Sequence, residues 1–185
     1  LTQVSTMLSC SVDRYGRRKI REKYPWVKDA WLPAMPAALS GELIDIVDET
    51  GRFLARGYVE KDSLYPIRIL SFQQEEIGLT FFKNRIADAC AFRQNLLRPS
   101  TTDVVRIVNE EGDRLPGLAV DLYGEYVLIQ FFSHGIESFS PAIVSALAQT
   151  IRPKGIYCLS RMTRSRVYPK EPQRSYPTEL VWGEK

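Results

Sequence analysis

A chain of 185 residues with 44% hydrophobic and 25% charged side chains has enough apolar mass for one large or two small cores, and its composition is that of a soluble globular protein. The formal net charge is only +3 and no apolar run approaches the ~20 residues of a membrane helix, which argues against a uniformly polycationic protein and against a membrane span. Three widely spaced cysteines (Cys10, Cys90, Cys158) and one histidine (His134) offer neither a metal cluster nor a disulfide framework, so reduced thiols in a cytoplasmic protein are the expectation.

Residues 1–12 show no basic stretch leading into an apolar block, so no signal peptide is visible, and a start at Leu1 instead of Met suggests a trimmed or processed beginning. Residues 4–8, Val-Ser-Thr-Met-Leu, read as a first strand. Arg14 to Lys23 reads as a short helix with a basic outer face, closing at Tyr24-Pro25 because the residue before proline is pushed out of helical φ/ψ. Tyr15, Tyr24, Trp26 and Trp31 flank those charges. Cations that grip phosphates, mixed with rings that stack on bases, are the usual equipment for single-stranded RNA; a solvated charged face and a core Trp26 are the plain alternatives. Glu42 to Asp48 and Phe53 to Val59 around Glu49-Thr-Gly51 give a hairpin signal, and Pro66 to Phe72 a further strand with Ile67 and Ile69 opposite Arg68.

Gln73 to Gly78 is polar, and Leu79 to Leu97 has helical spacing, with Leu79, Phe82, Ile86, Ala89, Cys90 and Leu97 near one stripe, ended by Pro99-Ser-Thr-Thr-Asp. From Thr102 to Gln130, three Val/Ile/Leu-rich runs alternate with turn signals, which predicts an antiparallel meander in which Gly112, Gly117 and Gly124 supply positive φ and Pro116 a corner. Ser140-Pro141 predicts an N-cap with proline in the first turn of a helix bearing Ile143, Val144, Leu147, Ala148 and Ile151. Pro153-Lys-Gly155 stops it, Gly155 to Leu159 reads as the last strand, and Ser160 to Lys185 reads as irregular.

The charge is uneven. Arg14, Arg17, Arg18, Lys19, Arg21, Lys23 and Lys28 face only Glu22 in the first block, and Arg152 to Lys170 holds Arg161, Arg164 and Arg166 with no acid at all. Two basic blocks on a nearly neutral protein suggest a polyanionic partner. Catalytic signals are lacking: no Gly-x-Gly-x-x-Gly or Gly-x-x-x-x-Gly-Lys loop, a lone His134 at a strand end, and Asp113 and Asp121 in positions that suit turn or strand-end capping better than acid-base work. Cys90 on an apolar helix face and Cys158 in an apolar strand are not settings for an activated thiolate.

The segment Glu-Glu-Gly-Asp-Arg-Leu-Pro-Gly-Leu-Ala-Val-Asp-Leu-Tyr-Gly, with Asp113, Pro116, Gly117, Asp121, Tyr123 and Gly124, resembles a stretch of the bacterial S-adenosylmethionine-dependent methyltransferases that make 5-methylcytosine in 23S ribosomal RNA. The basic helix, Tyr-Pro-Trp-Val and Gly-Glu-Leu-Ile-Asp-Ile-Val-Asp resemble the PUA domain that begins members of that family, except that Lys28-Asp29-Ala30 replace the usual residues after Pro-Trp-Val. The Glu-Gly-Leu segment that usually follows the last arginine is also absent near Arg161.

The resemblance implies an α+β chain: a mostly-β PUA-like pseudobarrel over 1–73, a linker helix over 74–99, a compact central α+β domain over 100–160, and a basic, proline-containing tail over 161–185 leading toward a methyltransferase domain missing from this chain. It also implies 23S ribosomal RNA as partner, met by Arg17, Arg18, Lys19, Arg21, Lys23, Tyr24, Trp26, Arg161, Arg164 and Arg166. No catalytic residue, metal or cofactor is expected in this chain, S-adenosylmethionine belonging to the missing domain, no membrane is involved, and the oligomeric state stays open with a homodimer as one candidate. A free-standing RNA-binding adaptor and a structural or protein-interaction module are the rival readings.

Overall fold

The structure, a computed structural model, describes residues 7–94, 102–159 and 178–184. The chain divides into two units, residues 1–76 and 77–185.

The first unit is built on β1 (Leu8–Ser11), α1 (Arg14–Arg21), β2 (Trp26–Val27), β3 (Leu43–Val47), β4 (Phe53–Val59) and β5 (Ile67–Ser71), in a sheet ordered β1-β3-β4-β5-β2. The β3–β4 hairpin is the one its sequence announces. Asp48 ties the turn, accepting from the backbone N–H of Thr50 and of Arg52, both at 3.0 Å, while Gly51 takes φ 81°. Hydrogen bonding, first from the Thr50 hydroxyl, lowers the Asp48 pKa. Side chains of β3 to β5 alternate in or out of a core that includes Val27, Ile44, Ile46, Ala55, Val59 and Ile67. Within the same sheet Asp45 and Arg56 form a buried fork, Nε–Oδ1 2.6 Å and Nη2–Oδ2 2.9 Å, whose pairing offsets the cost of desolvating both charges. The first strand lies at Leu8–Ser11, later than the sequence pattern suggests, because it pairs in parallel with β3 from Leu8↔Ile44 to Ser11↔Val47. Residues 1–6 are outside the described set.

The second unit carries α2 (Leu79–Phe92), β6 (Val104–Asn109), β7 (Leu118–Tyr123), β8 (Tyr126–Phe131), α3 (His134–Glu137), α4 (Ser140–Ile151), β9 (Gly155–Leu159) and β10 (Thr178–Gly183), the sheet running β10-β9-β8-β7-β6. The meander β6–β7–β8 is antiparallel, and α3 and α4 carry the chain over to β9, which lies parallel to β8. In the tight β7–β8 turn, Gly124 takes φ 56° at the first central position, where glycine alone is at ease.

Several expectations are corrected. α2 ends at Phe92, short of the predicted Leu97, with Arg93 as its C-cap and Gln94 in a turn; residues 95–97 lie outside the described set. Its buried residues are Phe81, Phe82, Ile86 and Ala89, while Leu79 is exposed. The helix is braced against both α4 and β6, with Phe82 against Phe139 at 5.6 Å, so neighbouring Phe81 and Phe82 are both covered. Ser140 is the first residue of α4, not its cap, and Ala146 joins Ile143 and Leu147 in the core. Gly112 does not supply positive φ: a 3-10 turn over Glu110–Asp113 places Glu110 at φ 48° and Arg114 at φ 59° instead. The end of the chain is not wholly irregular, since β10 pairs antiparallel with β9. His134 opens α3 and is solvent-facing. Among the described residues no helix is long and apolar enough to cross a membrane, and no group of His, Cys, Asp or Glu is placed to hold a metal ion.

Two tests follow from this packing. A Cβ added at Gly57 would lie 2.3 Å from the backbone oxygen of Arg68, so Gly57→Ala should cost about 3 kcal/mol of stability in urea unfolding, because the β4–β5 pairing has to open. Burial pushes the Cys10 thiol up to about 12, whereas Cys90 and Cys158 are only half-buried. Iodoacetamide at pH 9 should therefore label Cys10 last in the folded chain and readily after denaturation, as read by mass spectrometry. Since the folded thiol holds its proton more tightly than the unfolded one, this contribution to stability is complete below the ordinary thiol range and declines as pH rises above it.

Candidate nucleic-acid interface

α1 begins on Asp13, whose carboxylate accepts from the Gly16 N–H at 2.6 Å, an N-cap bond that offsets one unpaired helix-end donor. Two residues turn inward, Gly16 and Ile20, one helical turn apart. Every arginine of the helix is thereby sent to its sides or its outer face. Arg14, Tyr15, Arg17, Arg18 and Arg21 line an open depression of about 500 Å³. Arg14 and Tyr15 share this depression in addition to the binding residues that the resemblance implies. The signal was available, because Gly16 and Ile20 as the inward pair fix 14, 15, 18 and 21 as outward.

The charges are not equivalent. Arg17 is ion-paired with Glu49, Lys19 donates to Glu22 at 2.7 Å, and Arg18 approaches the same carboxylate at 3.8 Å. The Lys19–Glu22 hydrogen bond raises the lysine's pKa and lowers that of the carboxyl. Glu22 is exposed and Lys19 half-exposed, so the pair adds little to stability. Arg14 and Arg21 are exposed and, among the described residues, have no carboxylate partner.

Beside the helix runs a chain of rings. Tyr15 meets Trp31 at 5.6 Å, Trp31 meets Tyr24 at 5.7 Å, Tyr24 meets Trp26 edge-on at 5.7 Å, and Trp26 meets Tyr65 at 5.1 Å. Cations lie over rings of this chain, Arg18 over Tyr15 at 5.0 Å and Lys28 over Trp31 at 5.8 Å, and Lys23 lies over the ring of Phe72 at 4.3 Å. Trp31 is buried, Tyr24 packs on the core, and Trp26 is half-buried, so the ring most open to a ligand is Tyr15. The structure thus brings Arg17, Arg18, Lys19, Arg21, Lys23, Tyr24 and Trp26 onto one small unit. Arg161, Arg164 and Arg166 lie outside the described residues.

The central-motif carboxylates have structural partners. Asp113 takes the Arg93 fork, both contacts 2.8 Å, and accepts from the Asn109 N–H at 2.6 Å, the backbone role its turn position implies. Asp121 stands inside β7, not at a strand end, and takes the Arg106 fork at 2.7 and 2.9 Å. That hydrogen bonding raises the Arg106 pKa. The connections leading from strand to helix after β1, β5 and β8 close on Asp13, Gly78 and Ser133 and carry no glycine-rich loop. No step through S-adenosylmethionine is assigned to these connections.

Residues 11–72 match the family described as PUA-like domain. Over 142 residues, 75% of this chain, the sequence is 37% identical to ribosomal RNA large subunit methyltransferase I of Shigella boydii serotype 18 and 36% identical to the protein of that name in Escherichia coli O139:H28. The chain spans about a third, 36%, of the length of these curated relatives. A candidate S-adenosylmethionine-dependent methyltransferase from Streptococcus mutans superposes with a TM-score of 0.80 at 19% identity, covering 97% of this chain and 44% of its own. A second structure, the candidate methyltransferase SMU.776 complexed with SAH, gives 0.81 at 19% identity, with 97% and 43% coverage. At that identity the likeness is one of fold. The chain is α+β, begins with a PUA-like domain, and is similar over three quarters of its length to ribosomal RNA methyltransferases.

The outward set of α1 depends on close approach. A Cβ at Gly16 would lie 2.9 Å from the Cβ of Trp31 and 3.2 Å from that of Val12. Alanine gains about 1 kcal/mol of helix propensity but overpacks a buried contact at about 1–3 kcal/mol. Gly16→Ala should therefore lower stability by about 1 kcal/mol and shift the tryptophan fluorescence, both measurable in one urea titration.

Proposed function

We propose that this chain is the RNA-gripping portion of an S-adenosylmethionine-dependent ribosomal RNA methyltransferase, the finer reading being one that makes 5-methylcytosine in 23S RNA in the cytoplasm. The observation that carries the proposal is the outer face of α1, where Arg14, Arg18 and Arg21 share one depression with an exposed Tyr15 on a PUA-like domain. Guanidinium groups take phosphate oxygens in pairs, so this face suits a sugar-phosphate backbone. Glu22 and Glu49 temper neighbouring cations and leave Arg14 and Arg21 as the principal free charges on the helix. Arg161, Arg164 and Arg166 join the reading from their sequence alone. Methyl transfer itself is assigned to a cofactor-binding part of the whole protein, as the names of the similar proteins suggest.

The test is binding of the 185-residue chain to a 23S fragment across a salt series. Displaced counterions predict a linear fall of log K with log salt, about 0.7–0.9 of slope per phosphate contact. The triple change Arg14→Ala, Arg18→Ala, Arg21→Ala should flatten that slope by about two units while leaving the circular dichroism spectrum unchanged. Equal affinity and slope in the triple variant would end the proposal, as would no binding by the unaltered chain at low salt. Reading the coding sequence beyond Lys185 tests the methyltransferase assignment separately.

A further inference from the structure

Among the large hydrophobic side chains found exposed, Phe92 is the extreme, 85% open to water in the last turn of α2. A phenylalanine in that state forgoes the burial that normally stabilises it. Its surroundings are ordered. The Arg93 guanidinium lies 5.6 Å from the ring centroid and is itself fixed, forked onto Asp113 and donating to the Ala89 carbonyl at 3.2 Å. The ring borders a recess of about 260 Å³ whose walls include Arg85, Asp88 and Arg114. Arg114 projects from the 3-10 turn with left-handed backbone, φ 59°, a conformation uncommon outside glycine and more frequent where function demands it. The recess is smaller than the ~300–1,000 Å³ of sites that enclose a whole small molecule, so it suits a flat group resting partly in the open.

We infer that Phe92, with the exposed Arg114 beside it, forms an RNA contact on the second unit in which the ring stacks on one unpaired base and the Arg114 guanidinium holds an adjoining phosphate. The chemistry favours this occupant: an exposed ring has an exposed guanidinium on one side, Arg114, and on the other a carboxylate, Asp88, that can accept from a base amino group. Stacking on an exposed ring with arginine alongside is how unpaired nucleotides are held with little regard to sequence. The assignment rests on the RNA-binding reading above and extends it to residues that the PUA-like match does not include.

The experiment compares Phe92→Ala, Phe92→Trp, Arg114→Gln and the double change Arg18→Ala, Arg21→Ala in the full chain, using the same 23S fragment and a salt series. Phe92→Ala should weaken binding about tenfold or more with its salt slope unchanged, because stacking displaces no counterion, and Phe92→Trp should restore it. Arg114→Gln should instead reduce the slope by about one. Fragments carrying 5-iodouridine should crosslink to Phe92, a readout that does not depend on the alanine variant folding. If Phe92→Ala binds normally and no crosslink maps to α2 while the Arg18, Arg21 variant loses affinity, this inference is overturned and the α1 proposal stands. If the unaltered chain binds no RNA, both fall.

Discussion

The first unit turns on how closely α1 can approach Trp31. Only a residue without a side chain fits at Gly16, and once that contact and the Ile20 anchor are made, the rotation of the helix is settled. Its apolar content is too small to support it alone, since an eight-residue helix is well below the length at which an isolated helix is stable in water. Packing therefore holds it, and the same packing drives Arg14, Arg18 and Arg21 outward. The positive face is a consequence of where a glycine and an isoleucine point.

Charge plays a different part in the second unit. Arg93 with Asp113 and Arg106 with Asp121 are forked pairs that join segments 15 to 20 residues apart. Counting arginines along the chain gives these groups the same weight as Arg14 or Arg21, but a fork already made to a carboxylate has little left for a phosphate. What separates structural from available cations is the partner, and partners across a sheet are set by register. Arg106 reaches Asp121 because β6 and β7 pair those two residues directly, next to a bulge that puts both Ile107 and Val108 inside.

Much of the architecture was legible because its signals are local. Gly51, Gly117 and Gly124 mark turns that the backbone makes at positive φ, and the alternation of Ile67, Arg68 and Ile69 is the alternation of burial in β5. What was not legible depended on neighbours. Periodicity gives α2 an apolar stripe but not its direction, and contacts on two sides bring Phe81 in while Leu79, in the first turn, is left out. β10 carries no strong strand pattern beyond the short apolar run Leu180-Val181-Trp182, and its place comes from pairing along the edge of β9. Gly112 was expected to bend the chain, yet the Asp113 carboxylate, holding the Asn109 N–H, organises that turn and passes the left-handed positions to Glu110 and Arg114. For the candidate interface, the basic block was plain in the sequence and the outward turn of Tyr15 could be read from Gly16 and Ile20, but the burial of Trp31 within the same aromatic chain could not, since it depends on how closely α1 packs.

A net charge of +3 would by itself say little about a polyanion. The arrangement says more. On the first unit a second open depression of about 700 Å³ is bordered by Asp29, Glu42 and Asp62, with Lys61 among them, around an apolar stretch from Met35 to Leu39, so its charged lining is mainly acidic where that of the α1 depression is basic. Opposite charges gathered in separate depressions of one small unit leave a dipolar field, of the kind that orients a polyanion even when the total charge nearly cancels. At physiological ionic strength that field fades within about 8 Å. Orientation is then decided at contact range, where the spacing of three arginines along two turns of helix matters more than the sum of charges over the whole chain.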